Sequence, residues 1–410
     1  MKEPRLIRRA CFAGAIAAAI AFAPHSYAQT KGLKPPQPAL GPAQQVSLLS
    51  FDNLHPSLAF SQDEQHLYVV WDGVVKGSRR IFLRERIGNN WLQPVIVDTN
   101  PAGDNTMPSV AVDSAGTPHV AWISQFGTKR LPVYARRISR FPNTWAQQTV
   151  SIPSDSTVTG NCDYVQLRLD DNDRPWVVWQ YGFGSAYSIA CSRFDSAGYL
   201  TSEELTPGAT SHNLYPELFF LPKPTVYWYL AQADQFYLIG SQYDSKKDRW
   251  SVSLPDNMEN LPAQTFPDLV ATSKGPLAAI WYDRLTTTGS GQSTDKVFLG
   301  IQNPETKGRG EAPPQDASTN NHSVSATVSG QFLVTSWVSE SYQLGSQLYL
   351  GVGENAEALQ TVQVANSPDG IISNPRLGAT LSHAAIAWEE NDGMALSSSE
   401  ILVRVAELTR

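Results

Sequence analysis

HPSLAFSQDEQHLYVVW at residues 55–71 sets a pattern that the rest of the chain repeats. It returns as MPSVAVDSAGTPHVAW (107–122), DYVQLRLDDNDRPWVVW (163–179) and YPELFFLPKPTVYW (215–228). Three more copies follow, FPDLVATSKGPLAAIW (266–281), HSVSATVSGQFLVTSW (322–337) and NPRLGATLSHAAIAW (374–388). Each reads as a short strand, a tight polar or Gly/Pro turn, and a second strand ending in tryptophan. The closing residues are Trp71, Trp122, Trp179, Trp228, Trp281, Trp337 and Trp388, spaced by 51, 57, 49, 53, 56 and 51 residues. This period, rather than the length of 410 residues, sets the domain count.

After each tryptophan a variable polar loop leads into a third strand, as in RIFLRERI (80–87), PVYARRIS (132–139) and ILVRVAEL (401–408). LQPVIV (92–97) and LQTVQVA (359–365) exemplify a fourth. Four antiparallel strands per unit, repeated about an axis, predict an all-β fold. The expected form is a seven-bladed β-propeller of four-stranded antiparallel blades over residues 45–410. The seventh unit reaches Arg410 with only three strands. QVSLLS (45–50) is expected to supply the fourth, so that the N-terminal strand pairs with the C-terminal blade and closes the ring. Residues 29–44 read as a Pro-rich lead-in. A tryptophan shared by every unit is expected to pack between blades as core. Trp91, Trp145 and Trp250 lie near outer turns and either cover the sheet edge or stack on sugar rings.

Lys2, Arg5, Arg8 and Arg9 precede an apolar run and Ser26-Tyr27-Ala28, which predicts a secretory signal peptide at 1–28 and cleavage after Ala28. Cleavage leaves 27 basic against 37 acidic side chains, a net charge of −10. Such a surface repels phosphate backbones and anionic lipid, so neither nucleic acid nor membrane insertion is expected. The product is expected to be exported, periplasmic or extracellular, and monomeric. Cys162 and Cys191 remain, and in an exported chain the simplest reading of an isolated pair is a disulfide. Asp170-Asp171-Asn172-Asp173 lacks the spacing of a calcium loop, and neither a metal nor a cofactor is expected.

In a propeller, the loops before the first strand and after the second gather on one face around the channel. Asn53, Asn105, Asn213, Gln264 and Asn321 recur three residues before the proline position, with Asn161 close by, and are expected to form local Asx-type turns. His55, His212 and His322 also fall at first-strand starts. Residues just past the tryptophans differ between units, as an asymmetric site requires. Asp72, Asp283, Glu389 and Glu390 are candidates for acid/base work there. Tyr282 and Arg284 are candidates for holding an anionic or sugar ligand, and LTTTGSGQSTD (285–295) forms the longest of these loops.

PSLAFSQDEQHLYVVW (56–71) and PSVAVDSAGTPHVAW (108–122) resemble the repeats of bacterial sialidase-like, BNR-type propeller proteins, over residues 45–410. The resemblance implies architecture. The sialidase Asp-box runs Ser-x-Asp-x-Gly-x-x-Trp, and Asp113-Ser-Ala-Gly116 and Asp195-Ser-Ala-Gly198 have a different gap. No Phe/Tyr-Arg-Ile-Pro segment supplies a carboxylate-binding arginine, and six blades are expected of that family rather than seven. With catalytic signatures unmatched, the leading expectation is a non-catalytic exported propeller that binds a glycan or protein partner on the channel face. The alternative is a carbohydrate-active enzyme, either a sialidase-like hydrolase or a polysaccharide lyase. An envelope assembly scaffold is the third reading.

Overall fold

Second strands of the units are buried almost without a break, as in HLYVVWDGVV at His66–Val75 and FLVTSWVSES at Phe332–Ser341. Runs of this kind are covered on both faces. A computed structural model describes residues 34–48, 52–99, 103–150, 160–183, 186–194, 200–206, 210–220, 223–232, 235–253, 268–271, 277–286, 293–301, 309–311, 319–391 and 398–409. The expected signal peptide lies outside them. The described residues contain strands and turns and no helix. Trp71, Trp122, Trp179, Trp337 and Trp388 are at most 1% exposed, and Trp228 and Trp281 are also buried. The repeated tryptophans are therefore core.

The described strands form six sheets, antiparallel but for one pair. The first contains Asn53–Phe60, His66–Val75 and Ser78–Ile87, edged by Asn90–Trp91 and Val95–Ile96. Asn105–Val112, Pro118–Phe126, Lys129–Ser139 and Thr144–Thr149 follow as the second. The Trp179 and Trp228 units join into one eight-stranded sheet through a single parallel pair, Tyr187 with His212. Four-stranded sheets hold the Trp281 and Trp337 units. The last sheet combines Ile371–Ala379, His383–Asn391 and Ser399–Thr409 with Gln37–Leu40 and Gln44–Gln45 from the other end of the chain.

Among the described residues each apolar cluster draws on two consecutive units. Tyr68 and Ile81 pack with Trp122 and Val133; Ile123 and Tyr134 with Trp179; Trp176 and Val178 with Trp228. Tyr229 packs with Trp281, Ile280 with Trp337 and Val338 with Trp388. A further cluster sets Ala385, Ala387 and Val403 of the last unit against Leu58, Trp71 and Phe82 of the first.

The terminal pairing runs from Gln37, inside the Pro-rich segment. Gln37–Leu40 lies antiparallel to Ala406–Thr409, and Gln44–Gln45 to Leu402–Val403. Val46 N–H then donates to Ile401 O at 2.9 Å, with the valine side chain fully buried. Pro38 is tolerated because this is an edge strand, where a missing N–H costs no ladder bond. Arg84 of the first unit donates to Gln45 O at 3.1 Å and Val46 O at 3.3 Å, tying the added strand to the next sheet.

The expected disulfide is absent. Cys162 and Cys191 are both free and buried. Cys162 pairs across with Tyr181 and packs toward the Trp122 unit. Cys191 pairs across with Val178 and packs toward the Trp228 unit. They sit two strands apart on opposite faces of one sheet, a geometry that no S–S bond bridges. Burial pushes the Cys162 thiol up to about 12, and Cys191 well above its ordinary value. A thiol reagent added to the native protein is expected to leave both unmodified, and both should react after denaturation without reductant. Peptide mapping that found them joined would contradict this arrangement.

Candidate functional site: the cavity at the first strands

The first strands share a device that the sequence does not announce. Each of six carries a register shift just before or at its proline position. There a non-glycine residue takes left-handed φ: His55 (53°), Met107 (55°), Tyr164 (52°), Tyr215 (52°), Ser323 (49°) and Asn374 (46°). Such bulges re-aim side chains at the cost of local strain, of order 1–3 kcal/mol each. The preceding unit offsets part of that cost by capturing the bulged N–H. Asp72 Oδ1 accepts from Met107 N at 3.2 Å, Gln180 Oε1 from Tyr215 N at 2.7 Å, and Glu389 Oε1 from His55 N at 2.6 Å.

The recurring amides lie inside these strands, and beside local bonds to the carbonyl two residues back for Asn105, Asn213 and Asn321 they bond between units. Asn53, Asn105 and Asn213 each accept an indole N–H from their own unit's tryptophan, at 3.0, 3.0 and 2.8 Å. Their Nδ2 groups donate to Ser399 O, Arg79 O and Tyr187 O on the preceding unit. Asn321 likewise reaches Asp295 O. Gln264 lies outside the described residues.

Two residues beyond the bulge, the strands place Ser57, Ser109, Gln166, Glu217, Ser325 and Arg376, with Asp268 of the Trp281 unit, around one cavity of about 430 Å³. Five of these accept a backbone N–H from the following unit. Ser57 takes Val110 N (3.3 Å), Ser109 takes Leu167 N (3.0 Å) and Gln166 takes Leu218 N (2.6 Å). Glu217 takes Leu269 N, and Asp268 takes Ala326 N (2.7 Å). Arg376 has no acceptor atom, so it is released from this duty and stands exposed in the cavity. Arg168, also exposed, lines the cavity two residues past Gln166.

His55, Tyr164, Tyr215 and Asn374 line the same cavity at the bulge level. Tyr164 and Tyr215 meet edge to face, with centroids 5.4 Å apart. His55 Nδ1 lies 2.7 Å from Asp72 Oδ1, and its side chain is 33% exposed. Asp72 Oδ2 is held by Arg79 Nη1 at 2.8 Å. Burial pulls the His55 imidazole down. The Asp72 hydrogen bond and the charges of Asp72 and Glu389 outweigh it, so His55 titrates above its ordinary 6.5. Burial, reinforced by Glu217, pushes the Tyr164 phenol far above its usual range. With Nδ1 engaged by Asp72, Nε2 is the nitrogen left to act in the cavity.

The candidates chosen from sequence divide. Asp72 and Glu389 come together around His55, as buried ties rather than solvated loop charges. Glu389 also accepts from Ser373 Oγ (3.0 Å) and Asn374 Nδ2 (2.9 Å). Glu390 instead takes the Trp388 indole N–H at 3.0 Å. Tyr282 stands against His322, 6.4 Å between centroids, beside the His322–Glu340 contact of 3.3 Å. Asp283 and Arg284 sit in strand Leu277–Thr286 opposite Lys296 and Asp295; their side chains lie outside the described residues, as does 287–292 of the long loop. His212 stacks on Tyr187 at another point of the fold. Trp91 and Trp250 pack on the outer strands, Trp91 under Arg84 and Trp250 edge-on to Trp176. The Asp170 carboxylate is taken up by Asn172 N, Arg174 N and the Arg174 side chain, closing its own turn.

No family model matches the chain, and no curated protein matches it. Solved structures do. The polysaccharide lyase Uly1 aligns with a TM-score of 0.56 at 8% identity, over 90% of this chain and 100% of that one. An ulvan lyase of a new polysaccharide lyase family aligns at 0.53 and 9% identity, over 90% and 94%. The oligogalacturonate lyase of Vibrio parahaemolyticus aligns at 0.52 and 11% identity, over 91% and 98%. At such identities the likeness establishes the fold: an all-β, propeller-like arrangement of antiparallel sheets, shared with propeller proteins that act on glycans.

Proposed function

We propose that this protein is an exported polysaccharide lyase that cleaves a uronate-containing glycan in the first-strand cavity. The observation that carries the reading is the His55–Asp72 pair lining one cavity with the two exposed arginines Arg168 and Arg376. Elimination at a uronate needs a base for the C5 proton, a cation to blunt the carboxylate charge and so acidify that proton, and an acid for the leaving oxygen. His55 Nε2 takes the C5 proton, with Asp72 fixing the tautomer. Arg168 and Arg376 take the carboxylate. The C4–O bond breaks, its electron pair leaves on the glycosidic oxygen, and that oxygen receives the proton of the Tyr164 phenol, which burial keeps protonated. A C4–C5 double bond remains, and no water is consumed.

The lyase names among the neighbours favour this reading over the non-catalytic binder. A hydrolase is less well supported, because Glu217 and Asp268 both spend an oxygen on a backbone N–H of the next unit. Within this reading the scaffold is a closed seven-bladed propeller. Its support lies in seven tryptophan units, in apolar clusters that join each to the next, and in the terminal strands beside Ser399–Thr409. The mature chain would begin after Ala28 and act as a monomer outside the cytoplasm. Release of unsaturated uronate product from a panel of acidic polysaccharides tests the activity.

A further inference from the structure

The His55–Asp72 pair is one end of a longer chain of polar contacts. Asp72 is fully buried, and both of its oxygens are engaged. Oδ1 lies 2.7 Å from His55 Nδ1 and accepts from Met107 N at 3.2 Å, while Oδ2 accepts from Arg79 Nη1 at 2.8 Å. The second arm of the Arg79 fork holds Asp52 Oδ2. Asp52 Oδ1 in turn lies 3.1 Å from Ser399 Oγ, at the start of the last strand. The Arg79 backbone is fixed independently of its side chain. Its N–H donates to Asp104 Oδ1 at 2.9 Å, and its carbonyl accepts from Asn105 Nδ2 at 3.3 Å. Arg79 does not line the cavity, so its guanidinium is free of the ligand and committed to the two aspartates.

We propose that Arg79 is a positioning residue for the His55 base: by holding Asp72 Oδ2 it keeps Oδ1 aimed at Nδ1, and so keeps the imidazole proton on Nδ1 and the Nε2 lone pair toward the cavity. A carboxylate turns easily about its last side-chain bond, but one with donors on both oxygens loses a charge-assisted hydrogen bond by turning. Arginine suits the task because its planar fork reaches two carboxylates at once. The same contact has an electrostatic effect. Asp72 and Glu389 favour the imidazolium, and the Arg79 charge opposes them. A base must be neutral to take a proton, so Arg79 extends the working range of His55 toward lower pH. Asp72 and Arg79 of its own unit and Glu389 of the last unit act on His55 directly. Arg168, Arg376, Glu217, Asp268, Tyr164 and Tyr215 line the same cavity and are unchanged in the variants that test the proposal.

This rests on His55 being the base of the proposed lyase, and the experiment separates the two. The His55 ring is followed by proton–nitrogen NMR across pH, without substrate, in wild type, Arg79→Gln and Arg79→Lys, with His55→Asn to assign its signals. In wild type the neutral ring is expected to carry its proton on Nδ1. Arg79→Gln should move the His55 titration to higher pH and add a share of the Nε2–H tautomer. Arg79→Lys keeps the charge and should titrate closer to wild type. On a uronate polysaccharide the rising limb of kcat against pH should move with the titration, and plateau kcat should fall up to about 10²-fold in Arg79→Gln with KM little changed. A titration and tautomer unchanged in Arg79→Gln overturn the proposal, even if that variant melts lower, because a merely structural arginine gives that result. A wild-type ring protonated on Nε2 overturns it as well. Should Arg79→Gln not fold, Arg79→Lys decides. Its ammonium lacks the fork, so a share of Nε2–H sustains the proposal and a ring still wholly Nδ1–H overturns it. If the titration responds and no uronate polysaccharide is cleaved, the positioning stands and the lyase reading fails.

Discussion

Replacing His55 by asparagine is expected to lower elimination activity by about 10²–10⁴-fold, the usual contribution of a positioned general base. Asparagine suits the test because it tolerates the left-handed backbone that His55 occupies, at φ 53°. Asp72 keeps Met107 N–H and Arg79 as donors, so the tie between the first two units survives. At a pH above the His55 titration, an unchanged melting temperature should therefore accompany the lost activity. The pH profile of wild type carries a second signature. His55 titrates above 6.5 and acts as a base only when neutral, so activity rises with pH through that raised value. The same shift has a stability consequence of the opposite sense. A raised folded-state pKa stabilises the fold below the unfolded value, and this contribution is lost as pH rises through the folded one. Activity that persists in His55→Asn would remove His55 from the chemistry.

Deleting residues 29–47 from the mature chain is expected to be the most damaging change to the fold. It removes the strands beside Ser399–Thr409 and the fully buried Val46. Burial of one valine is worth about 1.5–3 kcal/mol, and the lost ladder bonds add to it. Arg84 loses its acceptors on Gln45 and Val46, and Trp91 loses Gln44. The exposed edge of Ser399–Thr409 then becomes a template for pairing with other chains. Thermal unfolding of the truncated protein should move down by several degrees, with soluble aggregates on gel filtration. A truncated protein that stays monomeric and melts with the full mature chain would contradict a ring held shut by its termini.

The tryptophan ruler was legible because every unit needs the same large side chain between sheets, and repetition makes such a residue visible. The same repetition exposes Asn53, Asn105 and Asn213, whose amides tie their own tryptophan to the preceding unit. The cavity was harder to read. Its ring positions hold Ser, Gln, Glu, Asp and Arg, one per unit, and composition alone gives no reason to compare them. What aligns them is a bulge whose left-handed residue is not glycine in any of the six described strands that carry it, so the usual marker of that backbone is missing. Asp72 and Glu389 were found as charges beyond tryptophans, yet their first task is to hold a neighbour's N–H. Arg376 is recognisable as functional only once the acceptor duty of five of its counterparts is known. An exported compartment suggests a Cys162–Cys191 bond, whereas strand parity puts the two on opposite faces.

One assay separates a lyase from a binding propeller. Purified mature protein is incubated with acidic polysaccharides, and the ultraviolet absorbance of the unsaturated uronate end is followed, with His55→Asn and Arg376→Ala in parallel. The predicted result is absorbance that grows with wild type on at least one uronate polysaccharide and is suppressed by at least about 10²-fold in both variants. Tight binding of such a glycan by wild type with no unsaturated product, under conditions where its pH dependence has been scanned, would contradict the lyase and return the protein to the class of binding propellers.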